Sequence, residues 1–279
     1  MSVSVPTSAT PSPAPAPFPF RGVRHPALRE LSYWLHLWRR TWRGTVVISV
    51  ANPLLFLTGI GVGLGQLVGD NTDPALHGGS YLAFLTPGLL AAASMQNAFV
   101  DSAGPVHQSV GPGGHYRAAA ATPLRPADIL YGHLLYILVR LTVSAALFTA
   151  VATAFGAVTP TRAPAVVPAA VLAGFAFAAP IAAWSVTVGR QAGITALFRF
   201  VIMPLYMFSG AFFPLSQLPD RVEPLAYLSP LWHGVELCRA LALGTATPGG
   251  TALHTGVLAA LTAAGVLLAR RRYHRRLHT

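Results

Sequence analysis

The sequence predicts an all-α polytopic membrane protein with six transmembrane helices, and three observations carry that expectation. Six apolar stretches, separated by short polar joints, fill most of the 279 residues. Each approaches the ~20 residues that a helix needs to cross a hydrocarbon core about 30 Å thick. The composition agrees, with 53% of residues hydrophobic and 10% charged, against roughly 25% charged in a soluble domain; mean hydropathy is +0.53. Finally, the 19 basic residues are all arginine and gather at the ends of the apolar stretches. Nucleic-acid binding would instead set them in a stripe on a polar domain, so the net charge of +11 does not point to nucleic acid.

Taken in order, residues 1–22 form a Ser/Thr/Ala/Pro-rich tail. It lacks the basic start and apolar run of a secretory signal, and its prolines between Pro11 and Pro19 predict a disordered or polyproline-II cytoplasmic tail. Residues 23–43 read as an amphipathic helix. Leu28, Leu31, Leu35, Trp38 and Trp42 recur at spacings of three and four, with Arg29, His36, Arg40 and Arg43 on another face. Such a helix suits the headgroup layer of a membrane. A membrane domain over 44–272 follows, with spans expected at about 44–67, 81–102, 128–156, 165–188, 194–213 and 251–270, and then a basic cytoplasmic tail, 273–279.

Arginine placement orients the spans. With the N-terminus inside, the cytoplasmic side collects the six arginines before Gly44, then Arg117, Arg125, Arg190 and the five between Arg270 and Arg276. The other side receives Arg162, Arg221 and Arg239. This satisfies the positive-inside rule and puts both termini in the cytoplasm of a multi-pass protein of the inner or plasma membrane.

The joints differ in character. Residues 68–80 are a short external loop. Residues 103–127 are the longest cytoplasmic joint, with a Gly-Pro-Gly-Gly break at Gly111–Gly114 before a short helical candidate, Tyr116–Ala121. The external segment 214–250 is apolar yet broken by Pro214, Pro219, Pro224, Pro230 and Pro248. Its pieces suit re-entrant or interfacial helices, which membranes tolerate where protein or a water-filled cavity covers their backbone ends.

Several constellations exclude chemistry. A P-loop needs a lysine to reach the β/γ-phosphates, and the chain has none; ATP and Mg would have to be bound by a second polypeptide. Cys238 is the single cysteine, which leaves no intrachain disulfide or CxxC site. Gly59, Gly61, Gly63 and Gly65 lack the preceding strand of a dinucleotide fingerprint and read as small residues for close helix approach. His107 and His115 lie on the Gly-rich joint without metal-ligand spacing and read as solvated. Ser94, Asp101 and His107 make a triad only on paper, since no nucleophile elbow surrounds the serine. Glu236 and Arg239, three apart, read as a local salt bridge. Arg140 and Arg199 are the intramembrane charges, and we expect snorkelling or interhelical pairing for both. No catalytic, cofactor or metal site is expected in this chain.

Three stretches together resemble one family, the ABC-2 type exporter permeases, in particular their nodulation-factor and daunorubicin-resistance branch. The first is Tyr81-Leu-Ala-Phe-Leu-Thr-Pro87-Gly88-Leu-Leu, similar to the opening of that family's second span. Next is Tyr116 to Leu130, holding Thr122-Pro123-Leu124-Arg125-Pro126, which looks like its cytoplasmic coupling segment. The most specific is Phe208-Ser-Gly210-Ala-Phe-Phe213-Pro214-Leu-Ser-Gln-Leu-Pro219, continuing through Pro230 to Arg239.

The resemblance implies a six-span half-transporter that homodimerises and docks a separate P-loop ATPase subunit. It assigns ATPase coupling to segment 107–124 with Arg125, here Tyr116, Arg117, Thr122, Pro123, Leu124 and Arg125. It also makes 214–240 an external gate segment, with Gly210, Phe213, Pro214, Pro219 and Pro230. The cargo would be amphipathic: a drug, a lipid or a glycan or glycolipid. A secondary transporter or channel is the alternative reading, but it would place ionisable residues near the midplane of discontinuous helices. Apart from the two arginines, the expected spans hold almost none.

Overall fold

The computed structural model describes residues 25–63, 81–212, 215 and 227–277. The N-terminal tail, the loop 68–80 and, in the outer segment, Phe213, Pro214 and Pro219 lie outside these residues. Every regular element among the described residues is helical. In chain order they are α1 (Pro26–Gly63), α2 (Tyr81–Ser102), α3 (Gly104–Val110), α4 (His115–Ala120), α5 (Pro126–Ala154), α6 (Ala163–Ser185), α7 (Gln191–Met207), α8 (Pro230–Leu243) and α9 (Pro248–Leu277).

Four described helices are long and apolar enough to cross a membrane: Tyr81–Val110, which joins α2 to α3, and α5, α6 and α9. The protein is an all-α, membrane-embedded polytopic chain. Local signals fix the ends. At the start of α5 the Arg125 N–H donates to the Asp128 carboxylate at 3.1 Å and Pro126 takes the first turn, where its missing N–H costs nothing. Pro230 opens α8 in the same way, and Gly244 closes it in the left-handed conformation that glycine adopts without strain.

Three boundaries differ from the sequence expectation. The amphipathic segment and the first span are one continuous helix, α1, because nothing between Arg40 and Val47 breaks helical geometry. The fifth apolar stretch stops being helical at Met207, and its middle, Phe198–Ile202, is a π-helical turn. Gly210 at φ 74° then turns the chain, so Phe208–Phe212 lies outside the helix. The last helix begins at Pro248 and continues to Leu277, which carries much of the basic tail into regular structure.

The core is centred on α6, which packs against α2, α5, α8 and α9. Its alanine-rich sequence allows this. Lipid tails are as apolar as leucine, so packing between membrane helices relies on close backbone approach through small residues. A Cβ at Gly174 would sit 2.7 Å from the Ser94 carbonyl, and one at Gly234 would meet the Ala173 Cβ at 2.7 Å. α1 lies along α5, crossing it at Gly132, where a Cβ would stand 2.5 Å from the Ala27 carbonyl. The N-terminal part of α1, the joint 103–125 and the last turns of α9 meet at one end of the bundle, where Glu30 contacts His115 and Tyr116 contacts Tyr273. Arg162 and Arg239 sit at the opposite end with the C-terminus of α8 and the 208–212 turn.

Candidate functional site

The joint between α2 and α5 is a folded wedge rather than a loop. Tyr116 points inward and is fully buried, its ring 5.7 Å from Tyr273 on α9 and 6.4 Å from Trp34 on α1. Its hydroxyl donates to His133 Nδ1 on α5. The direction is set by the other ring nitrogen: His133 Nε2 lies 3.0 Å from the Asp101 carbonyl, which only accepts, so Nε2 carries the proton and Nδ1 the lone pair. Burial, with Tyr273 beside it, pushes the Tyr116 phenol well above the usual tyrosine range, and it stays a donor.

The same wedge faces outward with a different set. Arg117, Ala118, Thr122, Pro123 and Arg125 are exposed, while Leu124 is half-buried against the core. Arg117 Nε donates to the Val110 carbonyl at 2.9 Å and Thr122 Oγ1 to the Ala119 carbonyl at 2.6 Å, so both turns are pinned from within. A Cβ at Gly114 would lie 2.6 Å from the Gln108 carbonyl, which keeps the 111–114 break tight. Of the six residues assigned to coupling, Arg117, Thr122, Pro123 and Arg125 form the accessible surface, Leu124 contributes part of its side chain, and Tyr116 is a key driven into the bundle.

Glu30 fastens the wedge to α1. It is 2% exposed and accepts from Trp34 Nε1 at 2.7 Å and from His115 Nε2 at 2.9 Å, while Tyr33 stacks on the His115 ring at 3.6 Å. The packed face of α1 is therefore built on Glu30 and Trp34, with Leu31, Leu35 and Trp38 partly buried beside them. Leu28 and Trp42, placed on that face by spacing, are 39% and 46% exposed. His115 is not solvated, because its partner carboxylate comes from α1. Nor is His107, which lies within α3 and donates from Nδ1 to the Val188 carbonyl at 3.1 Å.

Deeper in the bundle, Arg140 Nη1 pairs with Asp101 on α2, and Tyr136 lies 3.4 Å from the same nitrogen. Asp101 is 2% exposed. The paper triad of Ser94, Asp101 and His107 is not assembled, since Asp101 is committed to Arg140 and His107 to α6's following turn. Arg199 is exposed on the π-helical turn of α7.

At the opposite end, Arg239 is 4% exposed and organises the described part of the outer segment. Its Nη2 donates to the Gly210 carbonyl at 2.7 Å, its Nε to the Phe84 carbonyl at 3.4 Å, and its Nη1 pairs with Glu236. The guanidinium also sits 3.9 Å above the Phe84 ring, a cation–π contact strengthened where water is excluded. Tyr81 donates to the Phe212 carbonyl at 3.0 Å, and a Cβ at Gly88 would lie 2.7 Å from the Ala211 carbonyl. Gly210 and α8, which starts at Pro230, are thus both docked on the start of α2. A cavity of about 240 Å³ opens beside them between α8 and the start of α9, lined by Glu236, Arg239, Thr245, Thr251 and His254 among others.

Sequence reasoning missed Glu30, Trp34 and His133 as members of these sites. Glu30 had one signal, being the sole acid in a basic amphipathic helix. His133 had none, because its partners come from α2 and α4.

Residues 32–243 match the family described as ABC-2 type transporter. The chain is similar to nodulation protein J of Sinorhizobium fredii, with 31% identity over 81% of this chain and 86% of that protein. It also resembles nodulation protein J of Bradyrhizobium diazoefficiens, at 29% over 81% and 86%, and of Rhizobium leguminosarum bv. trifolii, at 31% over 76% and 81%.

Proposed function

Because the chain belongs to the ABC-2 type transporter family, we propose that this permease forms the translocation path of an ATP-driven exporter powered by a separate P-loop ATPase subunit. The cargo is amphipathic: a drug, a lipid or a glycan or glycolipid. Two copies form the path, each crossing the inner or plasma membrane six times with both termini in the cytoplasm. The missing lysine supports the division of labour, since ATP binding then falls to the partner.

One observation carries the reading. The wedge of α3 and α4 offers Arg117, Thr122, Pro123 and Arg125 to solvent on one side, and on the other inserts Tyr116 among α1, α5 and α9. A push delivered to that surface by closing ATPase subunits moves a rigid body with little freedom to deform. Tyr116 passes the displacement to His133 on α5, Glu30 passes it to α1, and the Asp101–Arg140 pair keeps α2 and α5 moving as a unit. The far end of α2 carries the docked 208–212 turn and α8, so motion of α2 reaches the outer segment through Arg239 and Tyr81.

Replacing Pro123 or Arg117 should uncouple transport from ATP hydrolysis and leave the dimer intact. We expect transport per ATP to fall about tenfold, within the 5–150-fold range of coupling between sites. The check is cargo flux and phosphate release measured together in proteoliposomes containing both subunits. Normal transport by both variants would remove this surface from the mechanism. A channel or secondary transporter would instead move cargo without the ATPase, and the same vesicles lacking that subunit read this out.

A further inference from the structure

We propose that His233 on α8 and His254 on α9 form a proton-sensitive latch, closed by one proton shared between their facing ring nitrogens and opened when acid on that side of the membrane protonates both rings. The two Nδ1 atoms lie 2.8 Å apart. They bond only when one carries hydrogen and the other a bare lone pair. The ring centroids are 5.1 Å apart, which exceeds the nitrogen separation by about two centroid-to-nitrogen radii, so the rings meet head-on. That suits a proton on the line between them. A metal ion about 2.0–2.1 Å from each nitrogen would need the rings angled toward it or the nitrogens roughly 4 Å apart.

In the neutral pair the donating ring is bare at Nε2 and the accepting ring is bare at Nδ1. A first proton goes to that Nε2 and leaves the bond in place. The second must take the accepting Nδ1, after which two N–H groups on two positive rings face each other and the bond is lost. Interacting rings titrate as a pair, and burial, with His254 beside it, holds His233 below the ordinary histidine range. The second step therefore falls below about pH 6.5. The latch is complete at neutral pH and is lost as pH drops below that value, because the open form then binds more protons than the closed one.

Trp232 packs edge-on against both rings, at 4.9 Å and 5.2 Å, with Tyr227 behind it. His254 lines the cavity of about 240 Å³ between α8 and α9, which gives protons from water a route to the pair. Glu236 and Arg239 in the cavity wall are paired with each other, and Arg162, ahead of α6, donates to the Ala242 carbonyl. Among the helices packed on α8 and α9, α6 has no ionisable side chain, α5 has none beyond Arg140, and α9 has only His254 before Arg270. On α2, Tyr81 bonds the Phe212 carbonyl and Asp101 pairs with Arg140. Gly244 at φ 74° and the exposed residues 245–247 supply a hinge between the two histidines. Arg239 and the close contact of Gly234 with Ala173 hold α8 on α2 and α6, so opening widens the cavity and does not release α8.

The test needs neither ATPase nor cargo and so stands apart from the exporter reading, which supplies only the placement of this end on the outer face. Amide exchange of residues 240–256 is measured in the full chain in detergent at about pH 7.5 and about pH 4.5, either side of the ordinary histidine value, with each rate corrected for intrinsic exchange. Protection should fall about fivefold in acid, the equilibrium worth of one net hydrogen bond. H254Q and its mirror H233Q should keep their protection at both pH values, because an amide accepts from a protonated Nδ1 and donates to a bare one. H254L should lose it at both. Acid-independent protection in the wild-type chain, reduced or acid-sensitive protection in both glutamine variants, or full protection in H254L at neutral pH would each overturn the latch. So would loss of protection in the wild-type chain when a chelator is added at neutral pH, since the tie would then be a metal ion.

Discussion

Replacing Arg140 with leucine should destabilise the folded protein by about 3–5 kcal/mol, the cost of leaving a buried charge without its partner. Asp101 is 2% exposed, its Oδ2 lacks a hydrogen bond, and the Arg140 guanidinium supplies the charge that compensates it. The double variant R140L/D101L should recover most of that loss, because two apolar groups of similar volume restore packing without any charge to desolvate. Reversible unfolding in detergent or mixed micelles measures the three differences, and a double variant no better than R140L would refute a charge-pairing role. If the pair also locks α2 to α5 during transport, the double variant folds yet transports poorly in the proteoliposome assay.

The second large effect is expected at Gly132. A side chain there meets the Ala27 carbonyl and the Glu30 stem at once, and neither is a flexible tip that could swing aside. G132V should therefore push α1 off α5 and strain the Glu30 contacts with Trp34 and His115. We expect a loss of about 1–3 kcal/mol, typical of overpacking a tight contact, with a larger loss of coupled transport because the wedge loses its tie to α1. Cysteine cross-linking between α1 and α4 gives an independent check: the yield should fall in G132V. An unchanged yield with normal stability would mean that the crossing has more slack than its geometry indicates.

The sequence carried the elements well and their partners poorly, and the reason is physical. Length, hydropathy and arginine placement are local properties, so α5, α6 and α9 were visible in outline. Boundaries failed where a local signal was absent, as in the unbroken passage through Arg43 in α1, or where a glycine's backbone state mattered, as at Gly210. On α1, Leu31, Leu35 and Trp38 are partly buried while Leu28 and Trp42 stay exposed, a division the sequence does not make because an amphipathic pattern in a basic helix does not distinguish lipid from protein as the apolar neighbour. Arg140 could be flagged by its position in an apolar stretch, yet nothing in the chain announced Asp101, 39 residues away, as its partner. Arg239 was paired with Glu236 by spacing alone, but its bonds to Gly210 and Phe84 required the folded bundle.

What the sequence determined by itself is the solvent of this protein, because that follows from which residue types fill its long apolar stretches. What only the tertiary structure decided is which side of the wedge faces water and which is a key. That distinction rests on Tyr116 meeting Trp34, His133 and Tyr273, residues spread across 240 positions of chain, and such contacts exist only once helix packing has brought distant segments to one end of the bundle.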